Sequence, residues 1–86
     1  MLVRFGGVTS DKVALALQKL KENDIPLVQE SEGSYYCKHK GFEARARLEG
    51  DKLTLELLKK PWWAPQGKIK DRVVELLKEE GIYELV

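Results

Sequence analysis

From Phe42 to Leu57 the chain alternates apolar and polar residues almost without interruption, and this pattern leaves little choice of fold. Phe42, Ala44, Ala46 and Leu48 fall on one face of an extended strand, with Glu43, Arg45, Arg47 and Glu49 on the other. After Gly50-Asp51 the alternation resumes, with Leu53, Leu55 and Leu57 opposite in sense to Lys52, Thr54 and Glu56. A two-residue loop with Gly first suits a type II′ turn, whose twist matches that of the flanking strands. Counting outward sets the register: Glu49 opposes Lys52, Leu48 opposes Leu53, Ala46 opposes Leu55, Arg45 opposes Glu56 and Ala44 opposes Leu57. Apolar then meets apolar on one face, and opposite charges meet on the other. A slip of one residue would turn every apolar side chain to the wrong face.

The same reasoning extends backwards. A turn at Lys40-Gly41 sets His39 against Phe42, Lys38 against Glu43 and Cys37 against Ala44, so that Tyr35, Cys37 and His39 share the core face. Leu27 to Glu30 reads as a shorter strand joined through Glu32-Gly33, and Leu2 to Phe5 as a further strand. Thr9-Ser10 offers a helix N-cap and Asp11 an acidic first turn. Val13, Ala16, Leu17 and Leu20 then form an amphipathic stripe that ends near Asn23 and Pro26. A second helix is expected from about Pro65 or Gly67 to Glu80, with the stripe Ile69, Val73, Leu76 and Leu77, and with Gly81 and Ile82 closing it. The expected fold is therefore α+β, a two-layer sandwich in which an antiparallel β-meander (order β-α-β-β-β-β-α) carries two helices on one face. Residues 1–86 form a single domain with no repeat, linker or low-complexity tract.

A chain of 86 residues buries only roughly 60–65% of its unfolded surface, so one efficient core is all it can hold. The single cysteine, Cys37, excludes an internal disulfide and a multi-cysteine metal site, and suits a reducing compartment. The segment Met1 to Gly7 lacks the pattern of a signal peptide, and no apolar run reaches the ~20 residues of a membrane span. The expected location is cytoplasmic. With 15 basic and 14 acidic residues the net charge is +1, which argues against general polyanion binding. Abundant Lys and Glu beside a single Asn and a single Met are compositional marks of a thermophile's protein.

Little in the sequence carries chemistry. Cys37 and His39 are the one thiol–base pair, but both project from the apolar strand face, where a small buried Cys and a marginal His are the ordinary occupants. A zinc site needs further ligands, and no second Cys or His exists. The acids alternate with bases or lie on helix surfaces rather than converging in pairs. Gly67-Lys68 resembles part of a phosphate loop, yet Trp62 and Ile69 stand where that motif requires Gly and Ser or Thr. Gly6-Gly7 before the first helix could present amides to an anion, although flexible entry into the helix is the simpler role. No catalytic residue, metal site or cofactor motif is read, and the chain is expected not to be an enzyme.

The segment Lys59 to Lys70 is more informative. It holds both tryptophans and four lysines around Pro61 and Pro65. Helix 2 runs against its own dipole, with Lys68 and Lys70 in the expected first turn and Glu79 and Glu80 in the last, which raises the positive potential at its start. One Trp or both could instead cap the open end of the sandwich with the lysines merely solvated. Against that, adjacent indoles are hard to bury together, and Trp with Lys suits an interface. Lys59, Lys60, Trp62, Trp63, Lys68 and Lys70 are thus the candidate contact residues. Two other readings remain. A nucleic-acid binder would use Lys38, Arg45 and Arg47 of the outer sheet face together with these lysines. A small-ligand binder would use a cavity between helix 2 and the sheet, under Tyr35 and His39. Homodimerisation through the sheet edge or outer face is compatible with each.

The run Gly41 to Leu57, followed by Pro61-Trp62 and Lys68-Ile69-Lys70-Asp71-Arg72, resembles the second half of the small polyhydroxyalkanoic acid system proteins in its Gly-led strand, acidic turn, alternating strand, Pro-Trp step and closing helix. The resemblance covers about half of the chain and brings no catalytic residues with it. It implies an accessory role at a storage granule. The sequence therefore reads as a non-enzymatic accessory or interaction protein that meets a protein partner or an amphipathic, granule-like surface through Lys59–Lys70.

Overall fold

A computed structural model describes residues 1–85. Six strands and two helices follow the order β1 (Leu2–Gly6), α1 (Ser10–Glu22), β2 (Val28–Ser31), β3 (Ser34–His39), β4 (Phe42–Glu49), β5 (Lys52–Lys59), α2 (Gln66–Lys78) and β6 (Tyr83–Glu84). The strands form one open antiparallel sheet in the order β2-β3-β4-β5-β1-β6. The architecture is α+β, with both helices contributing to a core against one sheet face.

The register counted from the Gly50 turn is the one observed, from Glu49 opposite Lys52 to Ala44 opposite Leu57. The β3–β4 pairs match as well, including Cys37 with Ala44 and His39 with Phe42. Lys40 and Gly41, at φ 50° and 84°, make the tight turn between them. Inner-face side chains line up in rows across the sheet. One row is Tyr35, Ala46, Leu55 and Val3, all buried. The small Ala44 and Ala46 let the helices approach, and Leu20, Val73, Leu76 and Leu77 pack down onto the rows from above.

Several details depart from the alternating pattern. Ala44 opposes Leu57 but Glu43 opposes Lys59, so Leu58 is an extra residue and forms a β-bulge. A bulge bends its strand and increases its twist, and here it turns the chain toward the Lys59–Gly67 connection. Thr9 is the N-cap of α1 by backbone geometry, yet its side chain makes no capping bond. The first helix ends with Asp24 at φ 66°, and the amides of Asp24 and Ile25 donate to Lys21 and Leu20. The second closes the same way, with Gly81 and Ile82 donating to Lys78 and Leu77. This is the paired bonding of a Schellman end.

The expected meander lacks the last strand, β6. Two residues are too few for a periodic signal, and Gly81 had marked the end of regular structure. The pair Tyr83–Glu84 nevertheless adds an edge beside β1. The Tyr83 ring lies across Gly6-Gly7, where an added Cβ would come within 2.9 Å and 2.8 Å of it. That glycine pair is therefore a platform for an aromatic ring rather than a flexible entry or an anion cradle.

Helix 2 is framed differently from the expectation. It starts at Gln66, with Lys68 in its first turn and Lys70 beyond it, and its last turn holds Lys78. Glu79 and Glu80 lie just past the helix and are both paired with Lys19 of α1. The dipole mismatch at that end is thus absorbed by a cross-helix contact. No described helix is long and apolar enough to cross a membrane.

Candidate functional site: the tryptophan turn and the groove beside it

The Pro61–Ala64 segment is a tight turn in which the Ala64 amide donates to the Pro61 carbonyl at 3.0 Å. Its ends are anchored. The Pro61 ring sits over the β3–β4 turn, 3.1 Å from where a Cβ on Gly41 would lie, and Ala64 is buried. Trp62 and Trp63 occupy the two corner positions, which point away from whatever holds the ends. This geometry leaves Trp62 92% exposed and Trp63 65% exposed. Trp63 does make one aromatic contact, edge-on against Phe42 with ring centroids 6.4 Å apart. The two tryptophans therefore divide the roles weighed from sequence: Trp63 partly covers the end of the sandwich, and Trp62 covers nothing.

Beneath Trp63 lies a groove of about 360 Å³ between α2 and the sheet. Its floor is Cys37, Ala44, Leu55 and Leu57, where the inner row of β3, β4 and β5 carries two small side chains. Phe42 and Trp63 form a wall. At the mouth stand Lys68 and Arg72 of α2, one helical turn apart, and Asn23 and Asp24 from the end of α1. α1 stops at Glu22, and the residues just after it, the chain leading into α2 and the first turns of α2 frame the groove over the sheet. The expected cavity lay under Tyr35 and His39. The observed one is displaced to Cys37 and Phe42, because Tyr35 is consumed in the core row.

Electrostatics at the mouth are uneven. Helix 2 has no side-chain N-cap and no acidic residue in its first turn, so its leading amides and Lys68 add to one another. Arg72 is steadied by Asn23, whose Oδ1 accepts from Nη2 at 2.9 Å. Asp24 is the one carboxylate there, and Lys40 at 3.5 Å and His39 at 3.7 Å face it. His39 is thus turned toward Asp24, while Cys37 is buried and its thiol is pushed up by desolvation. The pair does not assemble as a nucleophile and base. Among the described residues, no three His, Cys, Asp or Glu side chains gather in a group able to hold a metal.

The six candidate contact residues separate. Trp63 and Lys68 line the groove, and Trp62 stands at the turn corner beside it. Lys60 precedes the turn and is half-buried. Lys59 faces Glu43 across the bulge, and Lys70 reaches Glu84 at 3.2 Å on the β6 side. Arg72, Asn23 and Phe42 belong to the groove but were not singled out from sequence. The spacing of Lys68 and Arg72, four apart on one helix, was the available clue to the first. On the outer sheet face the bases are matched by neighbours: Arg45 lies over the Tyr36 ring at 5.4 Å and opposite Glu56, and Arg47 meets Glu49 at 3.1 Å. The Glu43 carboxylate beside Tyr36 raises its hydroxyl pKa.

No protein-family model matches this chain, and neither does any curated protein or solved structure.

Proposed function

We propose that the protein is a non-catalytic accessory module that attaches to an anionic amphipathic surface through the Lys59–Lys70 segment, with Trp62 as the inserted side chain. The observation that carries this reading is the 92% exposure of Trp62 at the corner of a turn whose two ends are packed. An indole held out by a braced turn loses little entropy on contact. Its amphipathic ring favours the boundary between water and an apolar phase. Lys59, Lys60 and Lys68 flank the turn and would meet anionic head groups, each contributing about 1 kcal/mol near such a surface. A lipid-coated storage granule is a surface of this kind, in keeping with the resemblance of the hairpin and Pro-Trp step to granule-system proteins.

Vesicles of phosphatidylcholine with and without phosphatidylglycerol test it. The wild type is expected to sediment with the anionic vesicles and its tryptophan emission to shift to the blue, an effect that weakens as salt rises. Trp62→Ala with Trp63→Ala should stay folded and lose the binding. Unchanged binding by that double variant, or its unfolding, defeats the proposal. Equal salt-sensitive binding to RNA at the outer face would favour the nucleic-acid reading instead.

A further inference from the structure

The groove under Trp63 shares Trp63 and Lys68 with the surface of the turn but is distinguished from it by Trp62, which takes no part in its lining. Apart from the Met1 amino group, which donates to the Leu57 carbonyl at 3.5 Å, its interior offers aliphatic and aromatic carbon and one thiol held above its ordinary pKa. No buried side-chain nitrogen or oxygen among the described residues lacks a partner. A groove lined mainly by carbon favours an apolar body. A volume near 360 Å³ corresponds to about a dozen waters, which an alkyl chain of about ten carbons would occupy. It falls at the small end of the range for ligand sites.

The mouth decides what the far end of that body must be. Lys68 forms no ion pair among the described residues, although it sits beside the uncapped start of α2. Arg72 is oriented by Asn23, and its other nitrogen lies 3.8 Å from Glu75. Asp24 opposes an anion, but Lys40 and His39 face its carboxylate. Lys68 and Arg72, the start of a helix and one countered carboxylate at the opening of an apolar slot, with the Met1 amino group lining it as a third cation, complement a single-headed anion.

We infer that the groove is a binding site for a medium-chain monocarboxylate, its alkyl chain lying over Ala44, Leu55 and Leu57 and its carboxylate between Lys68 and Arg72. Trp63 closes over the chain against Phe42. The small size of Ala44 is then a specificity feature, since a larger side chain there would fill the slot.

Decanoate, kept at monomeric concentrations, is the probe. In a Trp62→Phe background the emission reports Trp63 alone, and a saturable one-to-one blue shift is expected, with matching calorimetric stoichiometry. Decanol should bind about tenfold more weakly, the ratio set by losing one charge-assisted hydrogen bond. Lys68→Glu, at an exposed position, should weaken decanoate binding by at least as much and leave decanol binding unchanged. Asp24→Asn should strengthen it. Ala44→Leu should abolish both, and Lys68→Glu carries the test if that core variant fails to fold. Equal affinity for decanoate and decanol, indifference to Lys68→Glu, or no saturation overturns the assignment. Trp62→Ala should lose vesicle binding yet retain decanoate, so the two sites fail independently.

Discussion

The pyrrolidine ring of Pro61 rests on the bare Cα of Gly41, so the turn between β3 and β4 supports the turn that carries the tryptophans. The position of Trp62 and Trp63 thus depends on a hairpin corner some twenty residues earlier in the chain. A substitution at that corner should be read out at the other.

Gly41→Ala introduces a side chain at φ 84°, within 3.1 Å of Pro61. The left-handed conformation alone costs about 1–2 kcal/mol, and the clash should displace the turn and shift Trp63 emission to the red. Gly50→Ala is the control. It carries similar strain at φ 62° with open space around the new carbon, and so should lose stability in urea without changing the fluorescence.

The two tryptophans should differ in single replacements. Trp63→Ala removes the edge contact with Phe42 together with the buried part of the indole, and should cost at least about 0.5–1.5 kcal/mol. Trp62→Ala should stay within about 0.5 kcal/mol of the wild type, as surface changes do. Equilibrium denaturation resolves both.

Leu77 is fully buried at the junction of α2 with the sheet, and its carbonyl accepts both the Glu80 and Ile82 amides. Leu77→Ala should cost about 2–5 kcal/mol through lost burial and the cavity left behind. A loss below 1 kcal/mol would mean that α2 contributes little to the core.

Lys19 joins α1 to the end of α2. Its hydrogen bond to Glu79 raises the lysine pKa, and the same bond lowers that of Glu79. The lysine's share of stability is complete below its ordinary pKa and fades as pH rises through the raised value. The share from Glu79 is complete above the ordinary glutamate pKa and fades as pH falls through the lowered value. Because the pair is exposed, the effect should be shallow. Thermal midpoints of the wild type and Lys19→Met should differ slightly at neutral pH and converge in acid.

Burial holds the Cys37 thiol above its ordinary pKa. At neutral pH its reaction with Ellman's reagent should be far slower than that of a free thiol, and should quicken in mild denaturant. Rapid reaction in buffer would show the groove floor to be open.

Sequence reasoning succeeded wherever the deciding residues were neighbours in the chain. Alternation and two tight turns set the register of β3, β4 and β5 to the residue, and the 3.6 period located both helices. It stopped where distant residues decide. Leu57-Leu58 breaks the alternation but does not say which residue is extra, and the place of β1 in the sheet has no local signal. The groove draws on α1's end, Phe42, Trp63 and α2 at once, so neither its position nor the roles of Asn23 and Arg72 could be read from one segment. Lys70 was grouped with Lys68 by proximity, although helix geometry points it to Glu84.

Strand β1 lies between β5 and β6, so the first strand made must pair with residues from the second half of the chain. The hairpins β2 to β5 can close from adjacent segments, whereas the β1 pairing closes a loop of more than half the chain. Such closure is slow because its entropy cost precedes its contacts. During synthesis Val3 and Phe5 therefore wait unpaired. Folding can pass through a four-stranded sheet with the β5 edge open, and that brief species is the one from which chains would stick to one another.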